Sequence, residues 1–309
     1  MRYKHNKQVK LLYKIISECN MHCECCLEKV SIKNRRAKLE KKEIVDNYDY
    51  VAERFDINSV ILSGGEPTLH SEYFPILDFF LSKNMPLKII TNLLRFSDTN
   101  FLNQHKYYFK KNKNWTIYGS FSDIPSEGIS SNIRGLENIL KEKIPILVIV
   151  VVSKDNIAHL PRFIRHISEL FAFSKTLLNL ELRLIYTEEV PRSVIERAPR
   201  DFQEVSDCFG KCMQILSNVN SSVVLWNFPL CYINARYKNI DACVEKRRNI
   251  KVVKIDKDYQ LQNFKTRDLS SFFFKSRNCA ACAYFRHCSG INKSYISEFK
   301  FPCLRPLKR

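Results

Sequence analysis

The sequence predicts an α/β protein: a partial (β/α)6 barrel over residues 1–220, then a small cysteine-rich domain over residues 221–309. Three observations carry that prediction. Between residues 11 and 216, short apolar runs alternate with amphipathic stretches, the pattern of β-α units on a parallel sheet. Six such units are too few to close an eight-stranded barrel and suit a curved, partly open one. The 12 cysteines avoid the middle of the chain: four lie at 19–26, none between Cys26 and Cys208, and eight from Cys208 to Cys303.

Taken in order, Leu11–Ile16 reads as the first strand, and Lys41–Phe55 carries apolar residues at helical spacing. Ser59–Leu62 is the second strand, closed by Ser63-Gly64-Gly65-Glu66-Pro67, and Phe74–Leu81 the next helix. Leu87–Ile90 is a strand ending at Thr91-Asn92, and Ser97–Gln104 a helix, with Lys110–Asn114 a solvated turn. Trp115–Phe121, Ile144–Val152 and Leu178–Ile185 complete the six strands; Ile133–Lys141, Leu160–Phe171 and Arg200–Leu216 are the helices between and after them. Parallel β/α barrels place their chemistry at the C-terminal ends of the strands. Cys19 onward, Ser63–Pro67, Thr91-Asn92 and Ser120-Phe121-Ser122-Asp123 all fall there.

Composition excludes several classes. A chain of 309 residues is too long for a disulfide-stapled miniprotein, and 45% hydrophobic with 27% charged residues is not a disordered composition. No apolar run reaches the roughly 20 residues of a membrane span, and the basic N-terminus lacks the apolar core of a signal peptide. A cytoplasmic protein without a membrane partner is expected. Its cysteines would then stay reduced and read as ligands for zinc, Cu(I) or an iron–sulfur cluster. Neither Gly-x-Gly-x-x-Gly nor Gly-x-x-x-x-Gly-Lys occurs, so no Rossmann or P-loop site is expected. The net charge of +18 suits an acidic partner or reflects a general bias toward lysine.

Cys19, Cys23 and Cys26 form a Cys-x3-Cys-x2-Cys loop. Three thiolates on one short loop can hold three irons of a [4Fe–4S] cluster and leave the fourth open to a small molecule. A structural zinc site, the bland alternative, wants two paired knuckles; the x3-then-x2 spacing fits poorly and no second pair is near.

Here the sequence resembles the radical S-adenosylmethionine (SAM) superfamily, whose signature is that loop after the first strand. Ser63-Gly64-Gly65-Glu66-Pro67 resembles the superfamily's SAM-binding turn, where glycines let the backbone approach a ligand. Thr91, Asn92, Ser120, Ser122 and Asn156 match further strand-end positions, and Ile133-Arg134-Gly135 is similar to an arginine-glycine turn of members with a C-terminal cluster domain. The resemblance implies a [4Fe–4S] cluster on Cys19, Cys23 and Cys26 that cleaves SAM reductively. It implies a 5′-deoxyadenosyl radical that abstracts hydrogen from substrate, with a reductant such as flavodoxin or ferredoxin as partner. Gly64, Gly65, Glu66, Pro67, Thr91, Asn92, Ser120, Ser122 and Asn156 would contact SAM. Cys25 departs from the family's frequent aromatic residue and is expected to pack beside the cluster.

Cys279-x2-Cys282-x5-Cys288 resembles the auxiliary-cluster domains, one-cluster Twitch or two-cluster SPASM, of such enzymes. Phe228-Pro229-Leu230-Cys231 matches the turn that often supplies a first ligand. Cys231, Cys279, Cys282 and Cys288 are therefore the preferred set for one auxiliary [4Fe–4S] cluster, with Cys303 competing for the fourth place. Ser289–Lys300 holds no cysteine and Lys238 stands where a glycine would precede Cys243, which favours one cluster over two. A zinc knuckle is the alternative at 279–288. Cys208 and Cys212 share a helix face and read as core packing. His22 lies inside the cysteine loop. His70 is read as a satisfied residue, with facing the substrate as the alternative; Tyr118, Arg183 and Tyr186 lie on or beside barrel strands with no inward or outward assignment.

Enzymes of the resembled kind commonly mature ribosomally made peptides, and a peptide substrate is expected, with a separate leader-binding protein because no extra domain is evident. A radical SAM dehydrogenase or cyclase of a small, possibly phosphorylated molecule is the second reading. An RNA target has only charge in its favour. A non-catalytic iron–sulfur electron carrier or a zinc-dependent nucleic-acid binder is the reading from another class; the three-ligand loop and the Gly-Gly-Glu-Pro turn weigh against both.

Overall fold

The computed structural model of the chain describes residues 8–26, 38–124, 132–185, 192–232, 241–242, 251–255, 273–286, 288 and 290–299. Nine strands make one parallel sheet. β1 (Gln8–Ile16), β2 (Asp56–Gly64), β3 (Leu87–Thr91), β4 (Thr116–Phe121), β5 (Ile146–Val152), β6 (Leu178–Leu184), β7 (Ser221–Trp226) and β8 (Asp241–Ala242) stand side by side in chain order. β9 (Lys251–Ile255) adds to the free side of β1. The crossovers carry α1 (Lys41–Ala52), α2 (Tyr73–Ser82), α3 (Thr99–Lys111), α4 (Ile133–Lys141), α5 (Leu160–Ser174), the short α6 (Arg192–Ile195) and α7 (Phe202–Leu216). Helices α1 to α5 each touch the next, and α5 touches α7. They therefore line one face, as right-handed crossovers running in one direction require. The result is a partial β/α barrel, the expected fold class.

Strand patterning explains the two faces. In β1, Val9, Leu11, Tyr13 and Ile15 are fully buried, and the residues between them are not. Tyr13 donates to the Ile44 carbonyl of α1 at 3.3 Å and its ring meets Phe80 of α2 at 5.9 Å. Phe121 of β4 likewise meets Phe163 of α5 at 5.1 Å. Alternate residues are thus closed off by helices, and the intervening ones face the concave side, because strand side chains alternate.

Three differences from expectation have local causes. The sheet continues past the sixth strand: β7 pairs with β6 from Leu178 opposite Ser221 to Arg183 opposite Trp226. Its segment Ser221–Trp226 is a short apolar run that follows directly on α7 and its turn, and in the sequence it reads as lying past the barrel. Helix α3 extends to Lys111, so Lys110 and Lys111 occupy its last turn, where cations suit the helix dipole. Ile133-Arg134-Gly135 is the first turn of α4, not a turn between elements. A Cβ on Gly135 would stand 2.1 Å from the Leu93 carbonyl oxygen, so glycine lets α4 approach that backbone.

At the C-terminal end, β10 (Phe273–Phe274) and β11 (Ile291–Asn292) pair antiparallel, and α8 (Lys293–Phe299) follows. This part docks on the barrel through Tyr295, whose ring meets Phe202 of α7 at 5.0 Å and whose hydroxyl donates to the Pro199 carbonyl. Among the described residues no helix is long and apolar enough to cross a membrane.

Candidate active site

The first cysteine loop leaves β1 at the end of the sheet that also ends β2. The Gly64–Glu66 backbone is laced to it: Gly65 N–H donates to the Ile16 carbonyl at 2.7 Å and Glu66 N–H to the Glu18 carbonyl at 2.8 Å. Both glycines are required by this approach. Gly64 has φ +130°, and a Cβ there would stand 2.2 Å from the Ile16 oxygen; one on Gly65 would stand 2.1 Å from the Glu18 oxygen. The space that glycine opens is filled by the exit of β1.

Glu66 is 1% exposed and turned into the protein. Its carboxylate accepts from Thr68 N–H (3.1 Å), Thr68 Oγ1 (2.6 Å), Thr91 Oγ1 (2.8 Å) and Asn92 N–H (2.7 Å). Burial pushes its pKa up and these donors pull it down, with burial the larger. The side chain of Glu66 thus joins the ends of β2 and β3. Asn92 passes the link on: its Nδ2 donates to Asn20 Oδ1 at 2.7 Å and reaches Cys19 Sγ at 3.8 Å.

Cys19, Cys23 and Cys26 are half-buried, with the turn closed by Cys26 N–H donating to the Cys23 carbonyl at 3.2 Å. Burial, with the neighbouring thiols, pushes Cys23 up to about 12, and burial raises Cys19 as well. Such a thiol set holds its thiolates when a cation sits among them, which is the role iron would fill. Cys25 is buried and raised to about 11, chiefly by that burial, and its Sγ lies 3.5 Å from the Ser122 carbonyl. Asn156 is 2% exposed and also donates to that carbonyl (3.2 Å) and to the Val151 carbonyl (2.8 Å), so its side chain binds β4 to β5. Ser120 lies on the concave face of β4. Arg197, which sequence reasoning passed over, bridges Glu24 of the cysteine loop (3.4 Å) and Asp155 (3.1 Å).

A second cysteine group forms around a cavity of about 330 Å3, counting its open mouth, lined by Cys231, Cys279, Cys282 and Cys288 with Pro229, Lys275 and Gly290. A 3-10 turn over Arg277–Ala281 presents the first two of the 279–288 group, with Cys282 N–H donating to the Cys279 carbonyl at 2.9 Å. Cys288 Sγ accepts from Leu230 N–H (3.5 Å) and Gly290 N–H (3.3 Å). Amide donors of this kind favour a thiolate, although burial pushes the Cys288 thiol up. Four sulfur donors around one void fit an iron–sulfur group. Cys243 and Cys303 lie outside the described residues, as does Tyr186.

The remaining candidates separate cleanly. His70 is buried, its Nε2 2.7 Å from the Leu39 carbonyl and its Nδ1 accepting from Glu72 N–H at 3.0 Å. It is a satisfied core residue. Cys208 and Cys212 are both buried on α7, with Cys208 Sγ 3.2 Å from the Ile157 carbonyl. His22 is exposed. Tyr118 and Arg183 sit on the concave face, Tyr118 under the Lys88 ammonium at 5.2 Å. Arg183 is bound to Glu181, a partner sequence reasoning did not single out, although the alternation in Leu178–Leu184 separates the leucines from both.

Residues 13–108 match the family model of the radical SAM superfamily. L-lysine 2,3-aminomutase of Methanococcus maripaludis is 33% identical over 84 residues, 27% of this chain and 19% of that protein, so the chain spans about a fifth of that relative's length. SuiB of Streptococcus suis bound to S-adenosylmethionine superposes with a TM-score of 0.61 at 13% identity, over 98% of this chain and 77% of SuiB. SuiB bound to its precursor peptide SuiA gives 0.54 at 14% identity, over 71% and 49%. The protein anSMEcpe with bound AdoMet and a Cp18Cys peptide gives 0.58 at 18% identity, over 97% and 93%. At such identities the likeness to the solved structures is one of fold.

Proposed function

We infer the activity from the premise that this chain is a radical SAM enzyme, a superfamily whose model its residues 13–108 match. On this reading Cys19, Cys23 and Cys26 hold a [4Fe–4S] cluster that leaves one iron for SAM. With one electron from a reductant, cluster and SAM would supply hydrogen-abstraction chemistry through a 5′-deoxyadenosyl radical, with methionine released. The observation that carries the reading is the lacing of the cysteine loop to two other strand ends, through Gly65 and Glu66 on one side and Asn92 on the other. That lacing sets the loop and the Gly-Gly-Glu-Pro backbone side by side at the barrel mouth. Asn156 and Ser122 hold the adjoining edge, so the mouth keeps its shape as ligands enter. Gly64, Gly65, Ser120 and Ser122 remain the chain's own SAM contacts in this proposal, with Glu66, Pro67, Thr91, Asn92 and Asn156, which are buried, acting through the backbone they position.

The substrate in this proposal is a ribosomally made peptide. Its support is the shared fold with SuiB, which has been seen bound to its precursor peptide, and with anSMEcpe, seen with a peptide. Cys231, Cys279, Cys282 and Cys288 hold one auxiliary cluster, and the cavity they line supports that assignment. The test is to incubate anaerobically reconstituted, reduced protein with SAM and measure 5′-deoxyadenosine, with Cys23→Ala beside it. Formation by the wild type alone is the expected result. A fully iron-loaded wild type that forms none, with or without peptides encoded beside the gene, overturns the reading.

A further inference from the structure

The concave face of the barrel carries a group that the cluster and SAM sites do not use. Arg183 on β6 places both Nε and Nη2 on the same oxygen of Glu181, Oε2, the Nε contact at 2.7 Å. Its guanidinium lies 5.1 Å from the ring of Trp226, the residue paired with it on β7. Two donors are left over. No acceptor among the described residues meets Nη1 of Arg183, and the Trp226 indole Nε1 is buried with none. A buried donor without an acceptor is uncommon, and the Trp226 N–H calls for an explanation. The side chain of Arg183 is 33% exposed, so its free edge is open to an incoming group, whereas that of Glu181 is 11% exposed.

Position and charge point the same way. All nine strands are parallel, so the last rungs of β6 and β7 lie at the end of the barrel where the cysteine loop leaves β1. On the concave face of β6 the anion Glu181 stands beside Arg183, and Lys10, Lys14 and Lys88 are further cations on β1 and β3. Glu181 is already engaged by Arg183, and the chain's net charge of +18 favours the approach of an anion. A guanidinium fixed on one side by a carboxylate and stacked on an indole keeps its remaining N–H edge in one direction, which suits a planar two-oxygen acceptor.

We propose that Arg183, oriented by Glu181 and Trp226, receives a carboxylate of the substrate, and so selects a peptide with an acidic residue at the barrel mouth. The proposal rests on the barrel mouth being the reaction site. It makes Arg183 a recognition residue and Glu181 a positioning residue.

Isothermal titration calorimetry on the reconstituted, SAM-saturated protein tests it with two probes, acetyl-Gly-Glu-Gly-amide and acetyl-Gly-Gln-Gly-amide. The expected result is saturable binding of the glutamate peptide, at least about tenfold weaker binding of the glutamine peptide, and loss of that preference in Arg183→Gln. Arg183→Lys keeps the charge and loses the fork, and is expected to recover only part of the preference. Trp226→Phe keeps the stacking surface, removes the N–H, and is expected to weaken the glutamate peptide alone. Equal affinities for the two peptides, no binding of either, or a preference unchanged in Arg183→Gln overturns the proposal. So does an Arg183→Gln variant that loses SAM affinity but keeps the peptide preference, since the guanidinium would then serve SAM. SAM cleavage measured in parallel separates the two readings. Cleavage with no peptide preference defeats only this proposal, and a preference without cleavage defeats only the proposed reaction.

Discussion

The two cysteine groups are held in opposite ways. The loop at Cys19–Cys26 hangs from β1, which is paired on both sides, and is tied to the ends of β2 and β3 through Gly65, Glu66 and Asn92. The group at 279–288 stands on a 3-10 turn beside a hairpin of two-residue strands, and its bonds are mostly between near neighbours in sequence. The first site is shaped by the barrel before any metal arrives. The second has little packed structure of its own, so a group bound there, as proposed, would contribute to its folding. On the proposed function, one protein contains a preformed site and a site that metal would complete.

The contrast is broken or sharpened by graded tests. Cys23→Ala should lower 5′-deoxyadenosine formation by about a thousandfold or more, equivalent to roughly 4 kcal/mol in the barrier. The far-UV circular dichroism and urea midpoint of its barrel should stay near wild type; a collapse of the barrel would show that metal shapes this site too. Glu66→Ala leaves the donors of Thr68, Thr91 and Asn92 buried without an acceptor, and should cost about 3–5 kcal/mol in urea unfolding. A loss under 1 kcal/mol would mean that the lacing does not hold the first site.

Acid should strike the barrel at His105. It is fully buried among Tyr73, Phe74, Phe96 and Phe101, accepts from the Tyr73 hydroxyl at Nε2 (2.9 Å), and is pushed down to about 4, chiefly by burial. Between pH 6.5 and 4 the unfolded chain takes up this proton and the fold does not. The stability is therefore complete above 6.5 and falls by about 3 kcal/mol as the pH drops through that window. Urea midpoints across the window should fall in wild type and flatten in His105→Gln.

Chelation probes the other region. Removing iron anaerobically should open 273–299 to limited proteolysis while the strands β1–β7 resist, with Cys279→Ala reproducing the pattern and removing about four irons per chain. Uniform cleavage along the chain would erase the distinction between the sites. The smallest effect is expected from Cys212→Ala, about 1 kcal/mol of packing with iron content unchanged, because that thiol is fully buried on α7.

Much of this was legible in the sequence, for reasons that differ by region. The six leading strands and their helices follow from hydrophobic period, and α4 has the expected bounds, Ile133–Lys141. The loop at Cys19–Cys26 was legible because its residues are contiguous. The roles of Glu66 and Asn156 were not, since both act through partners on other strands. The glycines at 64 and 65 were visible, but the backbone they admit belongs to Ile16 and Glu18, which spacing does not reveal. β7 and β9 escaped because short strands at the flanks of a sheet take their stability from a neighbour already in place.

The pairing of β9 with β1 has a consequence for biosynthesis. As the polypeptide leaves the ribosome, β1 emerges first and gains β2 within the next few dozen residues, but its other side waits for Lys251–Ile255. Until then the strand that launches the first cysteine loop is a bare ribbon edge, open to pairing with a second nascent chain. A ribosome stalled before residue 251 would therefore carry a nearly finished barrel with its first cysteine loop beside an unpaired border.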